Sequence, residues 1–436
     1  MAKEIAAAKN YFRGVVLITD ILWGDGGKGK IADLGAQYSD VVVKTNGGAN
    51  AGHTVCNEHG HFPLHLVPSG IFNPRALCVV GSGVAVDPIQ FTREYTGLLN
   101  SGIPLAQCLL AEDAHMVMPW HKLRDNLKEK ALGNKEIGTT GQGIGPAYAD
   151  RTNREGLRLK DLKSPDFERS FLSTLAYQQR LIRAMDPEIV EDYFDPDKIL
   201  GDLRLAREIL PPIIADTRTI LGRMNDEGRD ILGEAGQGAL LDKDMGGYPY
   251  VTSSHPGVIG FWISTGFRPN QVTGVAKAYA TRVGKGPMPT EQNNGMGHHL
   301  QEVGQEVGVT SGRVRRCGWF DAVAAEYGVR AAGVTRLALT KLDVLDGVDQ
   351  IKVCVGYRVD DQVWKKIYHA DAEFMEKAEP VYETLPGWSR STKEVRRFQD
   401  LPENARGYVR KIESLVDLPI DIVSVGPDRE ATIFRD

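Results

Sequence analysis

Apolar residues near the start of the chain come in short β-branched runs. These are Val15–Asp20, residues 40–45 and residues 76–81, each followed by a glycine-rich stretch. That spacing predicts a sheet whose strands end in loops. The middle has another rhythm: Phe167–Met185 and residues 203–224 place apolar positions at helical intervals among charges, with an interruption at Pro211 and Pro212. A helical insertion over roughly residues 160–230 is therefore expected. Glycine, proline and tyrosine crowd residues 233–266, a composition that favours an ordered, functional loop over a helix. Residues 336–345 and 420–426 read as further buried strands. With no internal repeat, low-complexity tract or flexible linker, one unit over residues 1–436 is expected.

Composition narrows the class. Hydrophobic residues make up 42% and charged residues 25% of 436, as in a water-soluble globular chain. No apolar run is long enough for a bilayer crossing, and the N-terminal stretch lacks the apolar core and cleavage site of a signal peptide. The five cysteines are scattered and never form a CxxC pair, which fits a reducing compartment and a cytoplasmic location. A net charge of −5 excludes nucleic acid and anionic membranes as electrostatic partners of the whole chain. Any phosphate must be held locally.

A local phosphate site is written after the first strand. Trp23-Gly24-Asp25-Gly26-Gly27-Lys28-Gly29-Lys30-Ile31 forms a flexible loop and a helix start, with glycine amides free to converge on an anion and two lysines beside them. The spacing satisfies G-x4-G-K, but Ile31 stands where an ordinary P-loop has Ser or Thr for magnesium. Asp25 is the only acid inside the loop to take that duty. The same residues also suit a plain turn with solvated lysines and Asp25 as a helix cap. The expected fold is thus α/β, a P-loop-like central, largely parallel sheet flanked by helices, with a helical insertion and long functional loops.

Towards the other end, the apolar run 337–339 leads into Thr340-Lys341-Leu342-Asp343. An aspartate at a strand end can accept two hydrogen bonds from the N1–H and 2-amino group of guanine, while a lysine stem covers the base. Adenine offers no such donor pair. Loop and segment together point to GTP.

Four further stretches carry more than nucleotide binding requires: Gly47-Gly48-Ala49-Asn50-Ala51-Gly52-His53-Thr54, Gly138-Thr139-Thr140-Gly141-Gln142-Gly143-Ile144-Gly145-Pro146-Ala147-Tyr148, Gly246-Gly247-Tyr248-Pro249-Tyr250-Val251-Thr252-Ser253-Ser254, and Thr310-Ser311-Gly312-Arg313-Val314-Arg315-Arg316. With the loop and the Thr-Lys-x-Asp segment, in this order and spacing, the chain resembles the adenylosuccinate synthetase family from Val15 to its end. The resemblance implies a C–N ligase of AMP biosynthesis. It would join L-aspartate to inosine monophosphate (IMP) with GTP and Mg2+.

The resemblance also implies roles. Asp25 matches a general base and magnesium ligand, Gly52 lies near the metal through its carbonyl, His53 matches a general acid, and Lys28 assists at the phosphates. Gly24, Gly26, Gly27, Gly29, Lys30 and Thr54 match the GTP phosphate site, joined by Arg315. Lys341, Leu342, Asp343, Ser424, Val425 and Gly426 match the guanine pocket. IMP is matched by Asn50, Ala51, Thr140, Gln237, Thr252 and Arg313, and aspartate by Thr310, Ser311, Arg313 and Arg315. Arg154 matches an arginine that reaches the neighbouring active site of a homodimer.

The chemistry suits these residue types. A 6-oxo group leaves poorly, so phosphorylation must precede displacement by an amine. A carboxylate can take the N1 proton while O6 attacks the γ-phosphorus, and an imidazole can stabilise the transferring oxygen. The chain departs from the family around the purine nucleotide. Gly26 stands where Glu is usual, Ala49 where a bulkier residue often precedes Asn50, and Gln142 where Arg is common. Glu234-Ala235-Gly236-Gln237 permutes the usual order, and residues 255–261 replace a segment rich in small and hydroxyl residues. Two other readings stay open on these grounds: the same chemistry on another 6-oxopurine nucleotide or amine, and a GTP-binding module without ligation.

Overall fold

A computed structural model describes residues 2–57, 59–189, 191–307 and 312–435. The predicted Thr310 and Ser311 lie outside the described residues. The main sheet has ten strands: β1 (Val15–Asp20), β2 (Val41–Lys44), β3 (Leu77–Val80), β4 (Gln107–Ala111), β5 (Ile214–Ala215), β6 (Ile231–Glu234), β7 (Gln271–Lys277), β8 (Arg336–Thr340), β9 (Ile420–Ser424) and β10 (Thr432–Phe434). Their spatial order is β10-β9-β8-β7-β1-β6-β2-β3-β4-β5, and every pairing is parallel except that of the edge strand β10 with β9.

All six residues of β1 are buried, because helices cover both faces of the sheet. Val15 and Leu17 enter one hydrophobic core, and Val16 and Ile18 the other, as the two-residue period of a strand requires. Parallel strands bring their carboxyl ends to one side, where ligands of open α/β sheets bind. Here those ends are polar and buried: Asp20 of β1, Lys44 of β2, Glu234 of β6, Lys277 of β7, Thr340 of β8 and Ser424 of β9.

The expected helical stretch contains helices Phe167–Met185, Pro196–Ile209 and Thr217–Asp226, but it is not helical throughout, since β5, an edge strand of the main sheet, lies within it. Pro211 and Pro212 fall in a short 3₁₀ turn after the second, where a proline ends a helix without loss. Three further expectations need correction. Residues 233–266 are not loop throughout, since Val258–Thr265 is a helix that buries Phe261 and ends at Gly266. Its apolar run was hidden by the flanking glycines. Strand β8 stops at Thr340 because Lys341 adopts a left-handed conformation and residues 342–345 form a 3₁₀ turn. The last predicted strand stops at Ser424, before Gly426.

Candidate active site

The loop after β1 leads into the helix Lys28–Ala36, whose first turn has no side-chain cap. Its leading N–H groups therefore stay open to an anion. Gly27, just before it, has φ +93°, and a Cβ there would press on Thr340 Oγ1 at 3.1 Å. The Thr340 hydroxyl donates to the Gly26 carbonyl at 2.5 Å, so β8 grips the loop. Lys28 donates to the Gln237 carbonyl at 2.5 Å and stands 3.7 Å from Asp20. Lys30 is turned the other way, onto Ser424 Oγ at 2.7 Å and the carbonyls of Gly426 and Ala431 at 2.8 and 2.9 Å. Burial lowers its pKa to about 7.

This loop forms one wall of a cavity of about 860 Å³. Asp25 and His53 both border it. Asp25 sits with φ 59°, and its Oδ2 accepts from Arg315 Nε at 2.7 Å. Burial works against its charge, but Arg315, Lys277 and Lys28 more than offset that, holding the carboxyl below its ordinary pKa.

His53 opens the strand His53–Asn57 and directs Nδ1 at the carboxylate of Glu234. Glu234 is fully buried and also accepts from Ser69, through the backbone N–H at 2.8 Å and the hydroxyl at 2.9 Å. Its burial raises its pKa, yet His53, Lys44 and the Ser69 amide bring it down to about 2. Burial lowers the pKa of His53; Glu234 pushes it back up, Lys44 and Lys28 oppose that, and the net shift is downward.

Next to the loop, and touching it through Gln237, three predicted nucleotide residues join in one chain of hydrogen bonds. Gln237 Nε2 donates to Asn50 Oδ1 at 3.1 Å, and Asn50 Nδ2 reaches Thr252 Oγ1 at 3.5 Å. Asn46 supports them by accepting from the Gly236 N–H at 2.9 Å. Thr140 closes this side from the loop that Glu129 holds by the Gly138 amide at 2.8 Å. Arg313 donates to the Gly138 carbonyl at 3.3 Å but does not border the cavity. Arg154 lies exposed at the end of the helix Ile144–Asn153, also outside the cavity wall.

Arg315 connects the two ends of the site. Besides Asp25 it donates to Glu306 at 2.8 Å, and the same carboxylate takes Lys277 at 2.7 Å and Lys341 at 3.0 Å. Burial opposes the charge of Glu306, but Lys277, Lys341 and Arg315 hold its pKa at about 2 against an ordinary 4.5. Removing one member of such a buried network costs about 3–5 kcal/mol. Glu306→Gln is expected to lose that much in denaturant unfolding at neutral pH. Because the folded pKa is depressed, the stabilisation is present above about 4.5 and is lost as pH falls towards about 2. The variant should show a shallower loss of stability across that window.

Comparisons with known proteins show the family. A family profile described as adenylosuccinate synthetase matches residues 17–433. The chain belongs to the adenylosuccinate synthetase family. It is 45% identical to the adenylosuccinate synthetase of Halothermothrix orenii, with 97% of this chain and 99% of that protein covered. It is 44% identical to that of Caldanaerobacter subterraneus subsp. tengcongensis, over 96% and 98%. The structure of a fully ligated adenylosuccinate synthetase from Plasmodium falciparum superposes with a TM-score of 0.90 at 35% identity, over 97% of this chain and all of that one.

Of the residues expected from the sequence, Gly24, Asp25, Gly27, Lys28, Gly29, Lys30, Asn50, Ala51, Gly52, His53, Thr54, Thr140, Gln237, Thr252, Arg315 and Lys341 border the one cavity. Gly26, Leu342, Asp343, Ser424, Val425 and Gly426 stand outside its wall, as do Arg154 and Arg313. Four supporting residues had no role assigned from the sequence: Asp20, Glu234, Lys277 and Glu306. Three of them end strands, so an acid or lysine closing an apolar run was the available signal.

Proposed function

We propose that this ligase joins L-aspartate to IMP with GTP, through a 6-phosphoryl intermediate, giving adenylosuccinate, GDP and phosphate. The observation that carries this reading is the convergence of Asp25 and a Glu234-backed His53 on a single cavity between a phosphate loop and the Asn50–Gln237–Thr252 wall. Asp25 takes the N1 proton as O6 forms a bond to the γ-phosphorus and the bond to GDP breaks. The α-amine of aspartate then attacks C6, and phosphate departs with O6.

Asp25 with lowered pKa is a weak base while Arg315 holds it. When the carboxylates of aspartate draw Arg315 away, Asp25 regains basicity as both substrates are seated. His53 has a carboxylate on Nδ1, so it can donate through Nε2 only as imidazolium. The charge of the incoming phosphoryl group favours that state. The Asp25 carboxylate and the Gly52 carbonyl suit a magnesium ion, which takes hard oxygen ligands and completes its shell with phosphates and water. Bound there, the ion would neutralise charge on the phosphates.

The test mixes the purified chain with IMP, aspartate, GTP and magnesium, following purine absorbance and phosphate. Every component should be required, and heavy oxygen placed on C6 of IMP should emerge in phosphate. Its retention in the purine would remove the 6-phosphoryl step. Lys341 and Asp343 are proposed to read guanine. Loss of a charged hydrogen-bond acceptor is worth about 1.5–3 kcal/mol, so Asp343→Asn should raise the KM for GTP roughly 10- to 100-fold. The KM for the triphosphate lacking the 2-amino group should change far less. The exposed Arg154 supports a homodimer in which it serves the neighbouring site, and the five free cysteines support a cytoplasmic location.

A further inference from the structure

The phosphate loop already contains an anion of its own. Asp20, the last residue of β1, is fully buried, and both of its carboxylate oxygens face the loop. Oδ1 accepts from the amides of Leu22 at 2.8 Å and Gly24 at 3.2 Å, and Oδ2 accepts from the amide of Gly26 at 2.6 Å. Lys28 Nζ stands 3.7 Å from Oδ2. Successive amides of a glycine-rich loop converging on a negative group are the usual setting for a bound phosphate. Here the chain itself fills that cradle. The amides of Gly24 and Gly26, expected to face GTP, are committed to Asp20.

Two consequences follow from the geometry. A Cβ at residue 26 would lie 2.4 Å from Asp20 Oδ2 and 3.1 Å from the Val275 carbonyl, so glycine is required there while Asp20 is in place. Asp25 lies between the two tethered amides in a left-handed conformation that a non-glycine residue keeps only when its surroundings impose it. We propose that Asp20 is a positioning residue of the ligation: by occupying the amide cradle it fixes the backbone that aims Asp25 and Lys28 into the cavity. This deepens the proposed function and rests on it.

The first experiment measures amide hydrogen exchange and steady-state kinetics of Asp20→Asn, with kcat referred to sites titrated by GDP binding. The asparagine nitrogen cannot accept from one of the loop amides. Exchange at Gly24 or Gly26 should accelerate, and kcat should fall about 100-fold, the effect of a small displacement of a reacting group. The KM for IMP should move far less than kcat, because Asn50, Thr140 and Thr252 stand outside the loop. Parent-like exchange together with kcat within about threefold of the parent overturns the proposal.

The second experiment uses Gly26→Ala, which removes no other side chain and so tests the contact if Asp20→Asn does not fold. It should lower kcat at least about tenfold in the parent but much less in an Asp20→Ala background, where the obstructing carboxylate is absent. Equal losses in both backgrounds, or a parent-like kcat for Gly26→Ala alone, overturn the proposal. If the parent itself shows no aspartate-dependent turnover, the functional reading falls, and the exchange rates still decide whether Asp20 holds the loop.

Discussion

Replacing Asp25 with asparagine is expected to lower kcat by about three orders of magnitude, the middle of the range for loss of a positioned general base. Asparagine has the same shape, and its oxygen can still accept from Arg315, now 2.7 Å from the aspartate. The loop therefore keeps its form, and what disappears is the ability to take the N1 proton. GTP binding should remain measurable, because Lys28 and the uncapped start of the helix Lys28–Ala36 are untouched. The parent pH profile carries a second sign of the same group. Asp25 works ionised and its pKa is depressed by Arg315, Lys277 and Lys28 against the effect of burial. The acid limb of kcat/KM, which reports the free enzyme with Arg315 on Asp25, should then lie below the ordinary carboxylate range, and the limb of kcat should lie higher. Steady-state kinetics and calorimetric titration with GTP check both halves, and turnover within about tenfold of the parent would remove Asp25 from the role of base.

Much of this site could be read locally in the chain, and the part that could not shares one physical feature. Val15–Asp20 and Phe167–Met185 run in the structure from the residues expected to the residues expected. In the first an unbroken apolar run specifies a strand buried on both faces. In the second Phe167, Phe171, Leu175 and Ile182 mark one helical stripe. Asp25 and Lys28 were legible because a carboxylate and an amine in a glycine-rich turn have a chemical meaning on their own, whereas Asn50 and His53 took their expected roles from the family resemblance. Their supports have no such meaning until the sheet forms. Glu234 is 181 residues from His53, and Arg315 is 290 from Asp25. Only the parallel register that sets Ile18 beside Glu234, and Lys277 beside Thr340, brings the strand ends together. Glu306 likewise gains its role from three cations that approach from three separate elements.

The second large effect is expected at His53, where the size of the loss should depend on which partner is removed. His53→Ala takes away the donor to the transferring oxygen and should lower kcat about 100- to 1,000-fold, as loss of one such donor does elsewhere. Glu234→Gln should lower it less. In that variant the Ser69 amide, 2.8 Å from Oε2, requires an oxygen, so the new amide nitrogen takes the place of Oε1, facing His53 Nδ1 and the Ser69 hydroxyl. The nitrogen donates to Nδ1, which leaves the proton of neutral His53 on Nε2. A hydrogen bond to the substrate oxygen survives, but the imidazolium does not, because burial, Lys44 and Lys28 now oppose it unbalanced. The parent should therefore lose activity as pH rises and His53 gives up its second proton, and Glu234→Gln should lack that alkaline limb. An equal loss for both variants, or an unchanged limb in Glu234→Gln, would mean that the carboxylate fixes the orientation of His53 without setting its charge.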